Sequence, residues 1–153
     1  MNQPYLNSTP DIHISFDSDF QRLLTFLRDD MLMRAVYQPG MLRELLQNSP
    51  SGTSTIARAI WTEDSGRMGG PGTYARIVKD LPGPVLMRHQ LISYDVNADE
   101  YSLQCGVDVT QRERRILLKA CDDRITEYLD DRVSQKLISQ GQANYLNFEE
   151  MFE

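Results

Sequence analysis

Residues 86–141 constrain this chain more than any other stretch, because strict alternation of apolar and polar residues gives way at Thr110 to a long helical period with its own start signal. Alternation sends successive side chains to opposite faces, so residues 85–96 and 101–109 read as the two strands of a β-hairpin. A turn at Asn97-Ala98-Asp99-Glu100 pairs Val96 with Tyr101, Tyr94 with Leu103, Ile92 with Cys105 and Gln90 with Val107, which makes one apolar ladder. The opposite side carries Ser93, Asp95, Ser102 and Gln104 and is expected to meet water near the turn. Met87 and Leu91, farther along, call for cover from a helix or another subunit.

Thr110 and Glu113 form a Thr-x-x-Glu capping box at the hairpin exit. From there Ile116, Leu117, Ala120, Cys121, Ile125, Tyr128, Leu129, Val133 and Leu137 carry an apolar stripe toward a stop at Gly141. A helix of about 29 residues is roughly 43 Å long. That outruns a small sheet, and the far end is expected to project or to pack against a neighbour.

Upstream, residues 1–11 hold Pro4 and Pro10 among polar residues and read as an extended arm, followed by a short strand with Ile12, Ile14 and Phe16 inward. Ser18 and Gln21 form a second capping box, and Phe20, Leu23, Leu24, Leu27 and Met31 share one helical face. The helix should end before Pro39-Gly40. A shorter one then carries Met41, Leu42, Leu45 and Leu46 to Asn48-Ser49-Pro50. Two helices so close invite comparison with a DNA-reading helix pair, but the second offers only Arg43 as a basic residue. Ile56, Ala57, Ala59, Ile60 and Trp61 suit either a helical turn or a strand. The Gly-rich run that follows lacks the Gly-Lys-Ser/Thr ending of a phosphate loop and reads as a contact loop presenting Arg67. Residues 74–78 read as a strand, stopped by Leu81-Pro82-Gly83-Pro84.

The expected fold class is therefore α+β: a small, mostly antiparallel sheet around a central hairpin, one N-terminal helix and one long C-terminal helix. The expected division is an arm (1–11), one domain (12–141) and an aromatic-acidic tail (142–153).

Sixteen Lys+Arg against 22 Asp+Glu leave a net charge of −6, which repels polyanions and makes nucleic acid an unfavoured partner. Only Lys79, Lys119 and Lys136 are lysines; the other basic residues are arginines, whose planar fork suits paired contacts, although genome base composition explains the same bias without any function. Cys105 and Cys121 have no metal or redox spacing and fall at apolar positions, as small buried hydrophobes of a reducing compartment do. The N-terminal residues have no basic start and no apolar core, and no apolar run is long enough to span a membrane, so an intracellular protein is expected.

Asp123, Glu127 and Asp131 recur at four-residue steps on the long helix, too spread to enclose one metal ion, and read either as a solvated face or as a surface that answers arginines on a partner or a symmetry mate. His89 and Asp108 would face each other across the hairpin, with no nucleophile beside them. In the tail, Tyr145, Leu146, Phe148, Met151 and Phe152 alternate with glutamates and need either the domain's own core or a groove on another chain. No cofactor or metal is implied. The residues point to a non-enzymatic assembly subunit, such as one of a virion or tail-like particle, that contacts other subunits or its own copies through arm, loop, long helix and tail. Two other readings are an adaptor that sequesters a basic protein, and a small hydrolase or transferase that gathers His89, Asp108 and Arg67 around an anionic substrate.

Overall fold

The fold, taken from a computed structural model, is described for residues 18–31, 35–64, 67, 69–106 and 108–152, with the side chains of the last helix described through Gln135. The expected N-terminal arm and first strand lie outside the described residues. Helix α1 (Asp19–Thr25) starts where its capping box places it: the Gln21 amide donates to Ser18 Oγ at 3.1 Å and the Ser18 amide to Gln21 Oε1 at 3.2 Å. Its last turn widens over Phe26–Asp30, where the Met31 amide reaches back five residues to the Phe26 carbonyl at 2.9 Å. Leu23, Phe26 and Leu27 are buried from this helix.

Helix α2 (Tyr37–Gln47) takes in the Pro39-Gly40 pair that was expected to separate two helices. Proline is tolerated there because the first-turn N–H it lacks would have no intrahelical partner. Gly40 also packs closely, since a Cβ on it would lie 3.2 Å from Ile60 Cγ1. Met41, Leu42, Leu45 and Leu46 are all fully buried, and later helices and the sheet pack against this helix. Each such side chain contributes roughly 1.5–3 kcal/mol by leaving water.

A two-residue strand β1 (Ser51–Gly52) leads into α3 (Thr53–Glu63), which settles the ambiguity of Ile56 to Trp61 in favour of a helix with Ile56, Ala57 and Ile60 inward. The expected strand at 74–78 is a helix, α4 (Pro71–Asp80), with Tyr74 and Val78 buried one turn apart. The expected stiff connector is another helix, α5 (Pro82–Arg88), with Leu86 inward. Both begin with proline at the first helical position, where its fixed φ favours the helix. The period of Tyr74, Ile77 and Val78 is three and four residues, not two, and that is why a strand fails here.

The hairpin is consequently shorter than its alternation suggested. Strands β2 (Ile92–Asp95) and β3 (Glu100–Leu103) pair antiparallel, and β1 adds to the other edge of β3. Tyr94 lies opposite Tyr101 and Ile92 opposite Leu103, a two-residue slip from the expected register. The Asp95 carboxylate causes it by accepting the Asn97 and Ala98 amides at 2.9 and 3.2 Å, while Asp99 adopts φ 54°, so the turn closes one residue early. A slip of two keeps every side chain on its face. The slip brings the Tyr94 and Tyr101 rings together, tilted and 4.6 Å apart, in place of the expected Tyr94–Leu103 and Val96–Tyr101 pairs, and Val96 falls in the turn and is 75% exposed.

Asp99 ties this turn to the helices. Its carboxylate accepts from Thr53 Oγ1 at 2.7 Å and Tyr94 OH at 2.5 Å, and lies 3.3 Å from Lys79 Nζ. Helix α6 (Gln111–Phe152) opens with the expected capping box, Glu113 amide to Thr110 Oγ1 at 3.1 Å and Thr110 amide to Glu113 Oε1 at 2.9 Å. It does not stop at Gly141; its 42 residues span roughly 63 Å. Leu117, Cys121 and Ile125 face the core, where α6 packs on α1 and α2. The core is thus made chiefly by helices gathered on α2, with the sheet at one side, and not by one helix laid over a sheet.

Two outcomes test this packing. A methyl on Gly83 would lie 2.7 Å from the Val78 carbonyl oxygen and 3.0 Å from Tyr101 OH, so Gly83→Ala should lower the free energy of unfolding in urea by about 1–3 kcal/mol. A loss under about 0.5 kcal/mol would mean that α4 and α5 are not held this close. Hydrogen bonds from Tyr94 and Thr53 hold the Asp99 carboxyl below its ordinary 3.8. With the folded value depressed, its stabilisation is present above pH 3.8 and fades as pH falls through the folded value. The stability gap between the wild type and Asp99→Asn should accordingly be widest near neutrality and shrink in acid; a gap independent of pH would remove Asp99 from that role.

Candidate functional site

The outward side of α6 bears the acidic residues that the sequence singled out. Asp123 is paired with Lys119 Nζ at 3.1 Å, and Glu127 lies 3.8 Å from Arg124 Nη1. Asp131 is exposed. The cations that precede them, Arg112, Arg115 and Lys119, share this outward side and were not singled out. The signal was the order of charge along the helix: cations first, anions after. Asp122, beside Asp123, turns inward to Arg43 at 2.7 Å; Arg43 also holds Glu63, which joins α2, α3 and α6. Tyr145, Leu146, Phe148, Met151 and Phe152 fall in the last turns of α6, and their side chains lie outside the described residues.

Arg67 is folded back onto its own domain. Its Nε donates to the Trp61 carbonyl at 2.8 Å and its Nη2 to the Thr62 carbonyl at 3.2 Å, with the guanidinium 4.4 Å above the Trp61 ring. Trp61 Nε1 donates in turn to the Gly69 carbonyl at 3.0 Å. The last carbonyls of α3 and the Gly-rich loop are thus tied by one arginine and one tryptophan.

His89 and Asp108 do not meet. The His89 ring packs edge-on against Phe26, with centroids 4.8 Å apart, while Asp108 shares a hydrogen bond with Asp19 that raises its carboxyl above the usual range. Asp19 and Phe26 are two turns apart on α1, roughly 10 Å. The shorter hairpin is the cause, because neither residue remains in a strand. Burial pushes the Cys105 and Cys121 thiols up to about 12, which fits the expected inert hydrophobes. Among the described residues no group of three His, Cys, Asp or Glu could hold a metal ion, and no helix is long and apolar enough to cross a membrane.

One concave space of about 510 Å3 opens between the start of α2, the end of α3, α5 and α6. Tyr37, Tyr128, Pro82 and Pro84 wall it, and Asp64, Asp80 and Arg88 supply charge. Asp64 is buried and accepts from Tyr74 OH at 2.6 Å. Burial, and then the Asp64 charge, raise the Tyr37 phenol above its ordinary value, so it is a poorer nucleophile at neutral pH than a free tyrosine. Among the described residues the lining holds no histidine, cysteine, serine or threonine, and its carboxylates are Asp64 and Asp80. Asp64 and Tyr37 were not foreseen; they meet only because 71–80 is a helix that returns Tyr74 to the end of α3.

Comparison with known protein families, with curated proteins and with solved structures finds no match for this chain.

Arg67→Ala should lower stability by about 0.5–1 kcal/mol and red-shift the emission of Trp61, the chain's one tryptophan, as the loop lifts from the ring. Unchanged emission would mean that Arg67 does not cover the indole in solution.

Proposed function

We propose that this chain is a non-enzymatic assembly subunit that joins a larger multi-protein complex through α6. One observation carries the reading: α6 runs on past the last of its buried residues that the structure describes. Among the described side chains its buried positions end with Ile125 and the half-buried Tyr128 and Leu129, and residues 131–135 are exposed, Val133 to 55%. An isolated helix this polar and long has little to hold it in water beyond local pairs, and helices in proteins draw most of their stability from a packed face. The sequence of the following turns carries the five large apolar residues of the tail, which suit burial against another subunit.

The placement of His89, Asp108 and Arg67 on different elements adds support, since it leaves the hydrolase or transferase reading without an assembled site.

The test is the native mass of the full chain isolated from its source with its complex intact, compared with a chain ended after Gln135. The full chain should run in a complex many times its own mass, and the shortened chain should run free while keeping its fold by circular dichroism. A full chain that runs free under the same conditions, or a shortened chain that stays in the complex, would overturn the reading.

A further inference from the structure

We infer that the solvent face of α6 is a self-complementary seam, on which a second copy of this chain lies antiparallel about a two-fold axis near residue 121. The inference rests on the assembly reading and names one partner for it. At about 100° per residue, Arg112, Lys119, Asp123 and Asp130 fall within about 20° of a single line along the helix, opposite the buried Leu117, Cys121 and Ile125. Arg115 and Glu127 flank that line by about 60° on either side. Three cations therefore precede residue 121 on this face and three anions follow it.

A two-fold axis at residue 121 sets Arg112 of each copy at the height of Asp130 of the other, and Lys119 at the height of Asp123. Arg115 and Glu127 then lie within reach of Asp130 and Arg112 across the seam. A parallel arrangement would set each charge against its like, so electrostatics alone selects the antiparallel one. The same rotation carries Ile116, 40% exposed, to the mouth of the groove of about 290 Å3 that Leu27, Ala120 and Glu127 border on the other copy. This isologous arrangement closes after two chains.

The order of charge also works against the isolated helix. Cations in a first turn oppose the helix dipole, and a lysine placed four residues before an aspartate is the weaker of the two orders. Arg114 has an internal reason to be there, since it donates to the Leu46 carbonyl. Arg112, Arg115 and Asp130 have no ion-pair partner among the described residues. A second copy supplies partners to all three. Exposed ion pairs are individually weak and are screened by salt, so the dimer is expected to be modest in affinity and to come apart in high salt.

Sedimentation equilibrium of the full chain at about 0.1 mM in low salt reads the dimer directly, and raising salt to about 1 M should dissociate it. The variants R112E/R115E/K119E and D123K/E127K/D130K each set like charge against like and should self-associate at least about tenfold more weakly. Mixed in equal amounts they should form a one-to-one dimer, provided circular dichroism shows both folded. Oxidation of R112C/D130C supplies a second reading that does not depend on charge reversal: it should link two chains, whereas R112C alone should not, the native thiols being buried. A wild type that is monomeric under these conditions would overturn the inference. So would reversal variants that self-associate like the wild type, or a double-cysteine variant that forms no linked pair. If the inference fails while removal of residues 136–153 still releases the chain from its larger complex, the assembly reading stands and the partner is a different protein.

Discussion

Helix ends, more than strand edges, set the terms of this fold. A domain cut into short helices multiplies terminal carbonyls that no intrahelical N–H can reach, and those near the core need a donor from elsewhere. The chain meets the need with arginine. Arg124 donates to the Met31 carbonyl at the end of α1, and Arg114 to the Leu46 carbonyl at the end of α2. Arg67 serves the end of α3, and Arg22 reaches the Gln90 carbonyl in the turn after α5. A hydrogen bond from a charged donor is worth about 1.5–3 kcal/mol where it is partly buried, so the bonds from Arg124 and Arg114 rank with individual core side chains, while the exposed ones from Arg67 and Arg22 contribute less. Two of the four come from α6, which makes that helix the clamp on α1 and α2 as well as their apolar neighbour.

The scarcity of lysine acquires a structural reason in this light. A single ammonium is strongly hydrated and loses that hydration when drawn against a helix end, whereas a guanidinium lies flat, keeps several N–H groups in one plane and is more weakly hydrated. Arg67 uses the plane twice, once for two carbonyls and once for the indole face. Arg43 uses it to hold carboxylates from two helices. Sequence composition registers the preference but not the partners, because the carbonyls that receive these bonds are set by where helices stop.

Where helices start was legible when a side chain announced it. Ser18 with Gln21 and Thr110 with Glu113 act locally, within one turn, so spacing alone reveals them. The starts of α4 and α5 are announced by Pro71 and Pro82, which also serve as strand breakers, and the same residue supports either reading until the apolar period beside it is counted. Tyr74 and Val78 settle the period, being one helical turn apart and both buried. The hairpin register depended on a side chain competing with the backbone: Asp95 captures two amides and moves the turn, which alternation of apolar residues cannot foresee. The faces survived the slip because a shift of two preserves parity. The cleft was hidden for a different reason, since Asp64 and Tyr37 become neighbours only after three helices have packed.

Helix α6 shows how one element can serve the core and the surface at once. Its apolar residues at Leu117, Cys121, Ile125, Leu129 and Val133 repeat every four positions, and a four-residue step overshoots a full turn by about 40°. The row therefore winds around the helix. Leu117, Cys121 and Ile125 are buried, Leu129 is half-buried and Val133 is open to solvent, about 160° around from Leu117. A stripe meant only for the domain's own core would repeat at three and four in alternation and stay on one side. This one turns from the core to the solvent between Ile125 and Val133, while the charge order on the opposite side changes sign earlier, near residue 121. Over its described side chains, through Gln135, α6 therefore passes from a buried row to an exposed one without any change in its four-residue repeat.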